Sequence, residues 1–156
     1  ALRMYTFAGE AENRPPLGFF RKLTEALLIY SETYPQVEEM CANNLETVNY
    51  FDFNIQRTHP GQGFHQWHCE SFSRFQSRFL VWSLNLNDVA EGGELEFKDW
   101  GMRLKPKKGS MTLFPSYYTH MHRGNPPLKE EKWIATGWYS SIPQNEFMKE
   151  LLDSNV

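Results

Sequence analysis

The sequence has few cysteines, no long apolar run and no block of one charge. Among its 156 residues, Cys41 and Cys69 are the two cysteines, and they form no Cys-x-x-Cys pair. Neither a disulfide framework nor a zinc knuckle is therefore expected, and a reducing, cytoplasmic compartment is predicted. No apolar run approaches the roughly 20 residues of a membrane-spanning helix, so we predict no membrane partner.

Charge is nearly balanced along the chain. The 16 Lys and Arg and the 19 Asp and Glu give a formal net charge of −3 at pH 7. The short cluster Lys-Pro-Lys-Lys at 105–108 is interpreted as a solvated turn. Nucleic-acid-binding domains usually carry a basic stripe and a high pI, so no nucleic-acid partner is predicted.

Two helices are predicted before a β-rich region. Apolar residues recur at steps of three and four between Pro16 and Pro35, which predicts an amphipathic helix bounded by the prolines. These residues are Phe20, Leu23, Leu27, Tyr30 and Tyr34. A second, weaker helix is predicted through 37–45, so residues of about 15–46 are expected to form a helical support.

The rest of the chain is predicted to be mainly β. From about 48 to 142, short strand-forming stretches are separated by Gly, Pro and Asn-Asp turns, a pattern that favours a sandwich or barrel over a parallel α/β sheet. The final stretch, 143–153, predicts a short C-terminal helix. There is no repeat and no obvious linker, so residues 1–156 are predicted to form a single domain.

The segment His-Gln-Trp-His-Cys-Glu at 65–70 is the main candidate for chemistry. If it forms a strand, His68 and Glu70 point to one face and Cys69 points to the other. A cysteine nucleophile needs a base within hydrogen-bond reach, so a thiol enzyme is disfavoured. A histidine and a carboxylate on one face are two of the three ligands of the two-histidine, one-carboxylate metal triad. The same pair also occurs as an ordinary surface feature.

A second histidine-rich stretch supplies candidates for the third ligand. His120 and His122 lie on one face of the strand predicted there, and either can complete the triad. Ten residues after His122, Lys132 opens the segment Lys-Trp-Ile-Ala-Thr-Gly-Trp. Strand alternation places this lysine on the same side as Ile134, Thr136 and Trp138. Lysines are rarely buried alone, so this side either faces solvent or binds a ligand that carries a carboxylate.

In their order and spacing, these segments resemble the iron(II)- and 2-oxoglutarate-dependent dioxygenases. The resemblance covers about 48–142 and includes the intervening stretch NLNDVAEGGELEF. Within this superfamily, the sequence resembles the prolyl 4-hydroxylase-like branch of bacterial and viral members. The resemblance implies a double-stranded β-helix, which is a jelly-roll or cupin-like barrel, with supporting N-terminal helices. It also implies Fe(II) and 2-oxoglutarate as cofactors, dioxygen as a partner and ascorbate as an auxiliary reductant.

The resemblance also assigns roles to individual residues. His68 and Glu70 match the first two metal ligands, and His122 matches the third, which leaves His120 as a neighbour of the site. Lys132 matches the basic residue that binds the far carboxylate of 2-oxoglutarate. The remaining candidates for the cofactor pocket are Trp138, Thr136, His59, Asn87 and Arg123.

Several candidates depart from the family pattern or have an alternative role. Glu70 stands where aspartate is usual, so the carboxylate reaches one methylene further. His59 lies nine residues before His68, at a position where many relatives have a tyrosine that binds 2-oxoglutarate. Asn87 can instead shape a turn, and Arg123 can either orient substrate and cofactor carboxylates or pair with an acidic loop.

The resemblance implies hydroxylation of a C–H bond in a prolyl or similar residue of a peptide, with release of succinate and carbon dioxide. The nucleic-acid demethylases of the same superfamily use arginines in this region, so a lysine at 132 argues against that group. One alternative is the same chemistry on a free amino acid or another small metabolite. Another is a non-catalytic jelly roll that holds a metal through His68, Glu70, His120 and His122.

Overall fold

The structure is a computed structural model that describes residues 3–6, 17–37, 46–49 and 53–143. Helix α1 spans Leu17–Thr33, which confirms the first predicted helix. The second helix, predicted through 37–45, and the C-terminal helix, predicted at 143–153, lie almost wholly outside the described residues. No helix within the described ranges is both long enough and apolar enough to cross a membrane.

The described strands form two antiparallel sheets. The strands are β1 (Arg3–Thr6), β2 (Glu46–Asn49), β3 (Phe53–Thr58), β4 (Arg78–Asn85), β5 (Leu95–Phe97), β6 (Met102–Leu104), β7 (Met111–Pro115), β8 (His122–Gly124) and β9 (Lys132–Pro143). The larger sheet has the order β1-β3-β9-β4-β7, with β2 also paired to β9, and the smaller sheet has the order β6-β5-β8. This arrangement confirms the predicted mainly β fold.

Helix α1 covers one face of the larger sheet. Leu23 from the helix and Trp82 and Tyr139 from the sheet are all 0% exposed. The Tyr139 hydroxyl donates a hydrogen bond to the Leu23 carbonyl at 2.8 Å. The other helix residues that pack against this core are Phe19, Phe20, Leu27 and Tyr30. Their spacing of three and four puts them on one helical face, which is why the amphipathic pattern was informative.

Strand β9 separates this helix-covered core from the space between the two sheets. Ala135 and Tyr139 belong to the core on the helix side. The residues of β9 that line the space between the sheets are Lys132, Ile134, Thr136 and Trp138. The alternation predicted for this strand is therefore confirmed, and the lysine lies on the inner side.

A smaller apolar cluster joins the two sheets. Phe97 from β5 packs against Val81 and Phe114 from the larger sheet, and all three are buried. The Phe97 and Phe114 rings meet edge to face, with centroids 5.0 Å apart. Because these rings lie at the inner surface of both sheets, they fix the spacing of the sheets beside the histidine segments.

The prediction of a strand at 65–70 was wrong. His68 forms a single bridge with His122, through backbone N–H to carbonyl bonds of 3.0 and 2.9 Å. Two residues later, the Glu70 N–H donates to the Ser116 carbonyl at 2.9 Å instead of continuing that ladder. The chain therefore changes partner after one residue pair, and a strand needs pairing over several residues.

The prediction that His120 and His122 share one face of a strand was also wrong. His120 ends the 3₁₀ helix Tyr118–His120, and only His122 belongs to β8. The His120 N–H bonds to the Tyr117 carbonyl at 2.9 Å, so a tight turn precedes the strand. The two imidazoles are consequently not related by the two-residue period of a strand.

Candidate metal centre

A cavity of about 1100 Å³ lies between the two sheets. Six of the nine residues predicted for the site line it, namely His68, Glu70, His122, Lys132, Thr136 and Trp138. The other three predicted residues, His59, Asn87 and Arg123, are not part of the cavity wall. The structure therefore gathers the predicted metal ligands and the predicted cosubstrate lysine on one cavity.

His68, Glu70 and His122 form a compact group whose ligand atoms all lie within 4.8 Å of one another. Oε1 of Glu70 is 3.2 Å from Nε2 of His68 and 3.6 Å from Nε2 of His122. Two imidazole nitrogens and one carboxylate oxygen are the donor set of the triad that holds non-haem Fe(II) and leaves other coordination positions open. The side chains present thus fit the metal that the sequence implied.

Main-chain carbonyls orient both histidines. Nδ1 of His68 lies 3.0 Å from the Gln66 carbonyl oxygen, and Nδ1 of His122 lies 2.9 Å from the His120 carbonyl oxygen. A carbonyl only accepts, so Nδ1 carries the proton in each ring. In the metal-free protein, Nε2 of each ring donates to Glu70. Loss of that proton leaves a lone pair on Nε2 for a metal, and a second nitrogen held by a carbonyl is typical of metal-binding histidines.

Aromatic side chains surround the two imidazoles. The Phe64 ring centroid is 4.4 Å from that of His68, and the Phe114 centroid is 4.8 Å from that of His122. His122 is only 5% exposed. Rings packed at these distances limit rotation of the imidazoles and exclude water from one side of the group.

Glu70 is held through both of its carboxylate oxygens. While Oε1 faces the histidines, Oε2 accepts a hydrogen bond from Trp138 Nε1 at 3.1 Å and lies 3.6 Å from the Arg78 guanidinium. Burial favours the neutral acid, but hydrogen bonds from His122 and His68 outweigh it and hold the pKa of Glu70 well below its usual range. The carboxylate is therefore ionised at neutral pH, as a metal ligand must be.

Lys132 is a buried cation at the opening of β9. It is 8% exposed, and no hydrogen bond or ion pair to its Nζ is found within the described residues. Burial lowers the pKa of Lys132 to about 8, against a smaller opposing effect of Glu94. A buried ammonium without a close partner is unfavourable, so this side chain indicates a site for an anionic ligand.

His59 and Asn87 take part in contacts outside the cavity. His59 Nδ1 lies 2.9 Å from a carboxylate oxygen of Glu131. The Asn87 side chain accepts a hydrogen bond from the Trp133 N–H at 2.8 Å and donates to the Glu131 carbonyl at 2.7 Å, so it ties the end of β4 to the start of β9. Cofactor roles for these two residues stay predictions, and the turn-shaping alternative for Asn87 agrees with its bonds.

Several cavity residues were missed in the sequence. On β3 and β4, polar side chains alternate along the strand and line the cavity, and they are Asn54, Gln56, Thr58, Ser83 and Asn85. Their two-residue period in FNIQRT and VWSLN was a usable signal. Arg78 had no such signal, because its contact with Glu70 joins residues brought together by the register of β4 and the loop.

Arg123 belongs to a cluster around Glu96 on the smaller sheet. Its guanidinium nitrogens bond to Glu96 Oε2 at 2.9 and 2.8 Å, and Arg103 Nε donates to Oε1 at 2.8 Å. The Arg123 guanidinium also lies 4.4 Å from the centroid of the Trp67 ring, next to His68. The acidic-loop alternative for Arg123 thus agrees with its contacts, although the acidic residue is on a strand.

The contacts of Glu96 should make the stability of the folded protein depend on pH in the acid range. Burial raises the pKa of Glu96, but hydrogen bonds from Arg123, Arg103 and Asn125 outweigh it and lower the pKa to about 2. A depressed carboxyl pKa stabilises the folded state above the ordinary value of 4.5, and this stabilisation is lost as pH falls through about 2. In urea unfolding at pH 7, Glu96→Gln should have a lower midpoint than the parent. This difference in midpoint should disappear as the pH falls from 4.5 to about 2. A difference in midpoint that stays constant over this pH range would contradict the lowered pKa of Glu96.

Comparison with known proteins supports the fold and the family that the sequence resembles. The chain is 32% identical to the probable prolyl 4-hydroxylase 9 of Arabidopsis thaliana, over 60% of this chain and 42% of that protein. It superposes on the viral collagen prolyl hydroxylase of Paramecium bursaria Chlorella virus-1, solved as a 2OG complex, with a TM-score of 0.67, 21% identity and coverage of 90% of this chain and 80% of that one. A Pseudomonas putida prolyl-4-hydroxylase gives a TM-score of 0.56 at 19% identity, with coverage of 90% and 72%.

These likenesses confirm the predicted double-stranded β-helix, since at such identities the superpositions concern the fold. The chain spans about 42% of the length of the curated relatives that it matches. The family model described as 2OG-Fe(II) oxygenase superfamily matches residues 53–140, from the start of β3 nearly to the end of β9. That range contains the His68, Glu70 and His122 group and Lys132, and the chain belongs to the 2OG-Fe(II) oxygenase superfamily.

Proposed function

We propose that this chain is an Fe(II)- and 2-oxoglutarate-dependent dioxygenase that hydroxylates a prolyl or similar residue in a peptide. The observation that carries the proposal is that the His68, Glu70 and His122 group and the buried Lys132 line one cavity. Iron and 2-oxoglutarate, when bound, supply the oxidising chemistry that uses dioxygen and releases succinate and carbon dioxide. The cysteine content keeps a reducing compartment as the expected place of action.

Each part of the cavity has a separate task in this proposal. The two imidazoles and the Glu70 carboxylate hold the metal on one face and leave the cavity side to cosubstrate and dioxygen. Lys132 neutralises the far carboxylate of 2-oxoglutarate, which supplies the anionic partner that this lysine lacks within the described residues. The aromatic rings beside the histidines keep water from that side of the site.

The cavity mouth favours an apolar ring carried by a longer chain. Phe64 and Phe72 line the cavity and are 49% and 53% exposed. Phe75 lies beside Phe72, with ring centroids 5.8 Å apart. Exposed ring faces at an opening suit the methylene groups of a prolyl residue, because such contacts remove apolar surface from water. An open mouth also leaves room for the peptide on either side of that residue.

The alternatives are less well supported. A free amino acid or small metabolite would leave the exposed Phe64 and Phe72 without a role in binding. A four-ligand metal site without turnover needs His120, but this histidine is not in the metal-binding group. Its ring lies 4.9 Å from Trp100, and its Nδ1 lies 3.0 Å from the Thr119 hydroxyl. That reading also leaves Lys132 unexplained.

The proposal is tested by adding Fe(II) and then 2-oxoglutarate to the metal-free protein under argon, and by then admitting oxygen with a proline-rich peptide. We expect a weak visible charge-transfer band on addition of 2-oxoglutarate, succinate release, and a gain of one oxygen in the mass of the peptide. The control peptide has alanine at each proline position. The control protein is Trp133→Phe, which changes a β9 residue outside the cavity wall.

The results of this experiment distinguish the peptide hydroxylase from the small-metabolite hydroxylase and from the non-catalytic barrel. Succinate release that free proline stimulates while the peptide stays unmodified would favour the small-metabolite alternative. Metal binding without any response to 2-oxoglutarate would favour the non-catalytic barrel and remove the oxygenase assignment.

A further inference from the structure

The metal-binding group contains a glutamate, whereas the family that the sequence resembles usually has the shorter aspartate at the matching position, so the length of the Glu70 side chain matters for its contacts. Its two oxygens face different partners: Oε1 faces Nε2 of His68 and of His122 at 3.2 and 3.6 Å, and Oε2 accepts from Trp138 Nε1 at 3.1 Å. A carboxylate with one oxygen bonded in this way has a fixed plane. The oxygen left for a metal then points toward the two histidines.

Arg78 reinforces the position of that second oxygen. Its guanidinium lies 3.6 Å from Glu70 Oε2, 4.0 Å from the centroid of the Phe75 ring and 3.5 Å from the centroid of the Trp138 ring. The Arg78 side chain is only 16% exposed. Close contact with two aromatic faces holds an arginine by cation–π attraction and restricts its movement. Trp138 is therefore fixed through its ring while its N–H is directed at the carboxylate.

The backbone on the other side of Glu70 is also fixed. The N–H groups of Glu70 and Ser71 both donate to the Ser116 carbonyl, at 2.9 and 3.0 Å. An aspartate at this position would be shorter by one C–C bond, about 1.5 Å. With its main chain held in place, the shorter side chain cannot keep one oxygen at the histidines and the other at Trp138, since hydrogen bonds weaken steeply beyond their normal range.

We propose that Arg78 and Trp138 are positioning residues that match this metal centre to a glutamate, so that aspartate at position 70 is a poorer ligand here. This inference rests on the proposed metal role of His68, Glu70 and His122. It extends that role by explaining how the contacts of this site suit the length of a glutamate side chain. Residues that orient a metal ligand typically change metal affinity by about 10- to 100-fold when removed.

The test is the affinity of the metal-free protein for Co(II), measured by calorimetry, together with the visible spectrum of the Co(II) complex, which reports ligand geometry. Glu70→Asp should bind Co(II) at least about tenfold more weakly than the parent, and the spectrum should change. Trp138→Phe keeps a ring beside Arg78 but removes the N–H, and it should weaken binding by about tenfold. Trp133→Phe, on the other side of β9, is the matched control and should bind as the parent does.

A double variant gives the decisive comparison. If Glu70 is matched to Trp138, Glu70→Asp should lose much less affinity in the Trp138→Phe background than in the parent, because the bond at stake is already absent. Strictly additive effects, or an aspartate variant that binds Co(II) as tightly as the parent, would overturn the inference. Thermal unfolding of each metal-free variant shows whether it is folded. A parent that binds Co(II) without responding to 2-oxoglutarate removes the proposed function but not this inference.

Discussion

Replacing Lys132 by methionine should weaken 2-oxoglutarate binding by about a hundred- to a few-thousand-fold, which corresponds to about 3–5 kcal/mol. The reason is that the far carboxylate would enter a buried position without its cation, and methionine fills similar space without charge. Binding is measured by anaerobic titration of the metal-loaded protein with 2-oxoglutarate. Metal affinity should stay within about threefold of the parent, because no contact between Lys132 and the metal-binding group is found among the described residues.

The same substitution should stabilise the ligand-free protein. Burial lowers the pKa of Lys132 from 10.5 to about 8, a difference that corresponds to a cost on the order of 3 kcal/mol for the charged form. Lys132→Met should therefore raise the free energy of unfolding by about 1–3 kcal/mol at pH 7, as measured with urea. A variant that lost both stability and cosubstrate binding would show instead that the lysine is a structural residue.

The sign of the pH dependence follows from the same lowered pKa. Between pH 8 and 10.5 the unfolded chain binds more protons at position 132 than the folded one. The stability of the parent therefore gains a contribution from Lys132 as pH rises through this window, and Lys132→Met lacks it. Binding of 2-oxoglutarate requires the ammonium form, so its affinity in the parent should fall above about pH 8.

Removing His122 should abolish tight metal binding, whereas removing His120 should not. His122→Ala leaves one imidazole and one carboxylate, and the loss of one ligand from such a site is expected to cost on the order of 3 kcal/mol, which is more than a hundredfold in affinity. His120→Ala is the matched control, because His120 lies outside the metal-binding group. Its effect on Co(II) affinity should be less than about threefold.

The comparison of these two variants also tests the number of ligands. If both substitutions weakened metal binding to a similar extent, a fourth ligand would have to be assigned and the four-ligand alternative would regain support. Urea unfolding of both metal-free variants provides the check on folding. His122 is the more buried of the two, so part of its effect on stability will be independent of the metal.

The sequence predicted the parts of the site that depend on local spacing. Alternation along β9 placed Lys132, Thr136 and Trp138 on one side, and the cavity wall confirms that side. The pair His68 and Glu70 was recognised from its spacing, even though the strand assumed for it was wrong. The side chains still meet because the loop at Glu70 bonds to the Ser116 carbonyl, which returns the carboxylate toward the histidine.

The sequence could not predict contacts that depend on strand register. Glu70 meets Arg78 and Trp138 only because β4 pairs with β9 in the register that sets Val81 opposite Trp138. In the same way, Asn87 bonds to the backbone of Trp133 across 46 residues of chain. Such contacts leave no periodic signal in a single sequence, since each partner alone is an ordinary polar or aromatic residue.

The two sides of β9 have a consequence for how the protein can change during evolution. Ala135 and Tyr139 pack beneath α1, and Thr136 and Trp138, which lie between them in sequence, face the cavity. Selection for a stable fold and selection for a new ligand therefore act on interleaved positions of one strand. A lineage can alter the cavity wall residue by residue while the helix stays docked on the same sheet. The insertion of a single residue, however, would exchange the two sets and lose both at once.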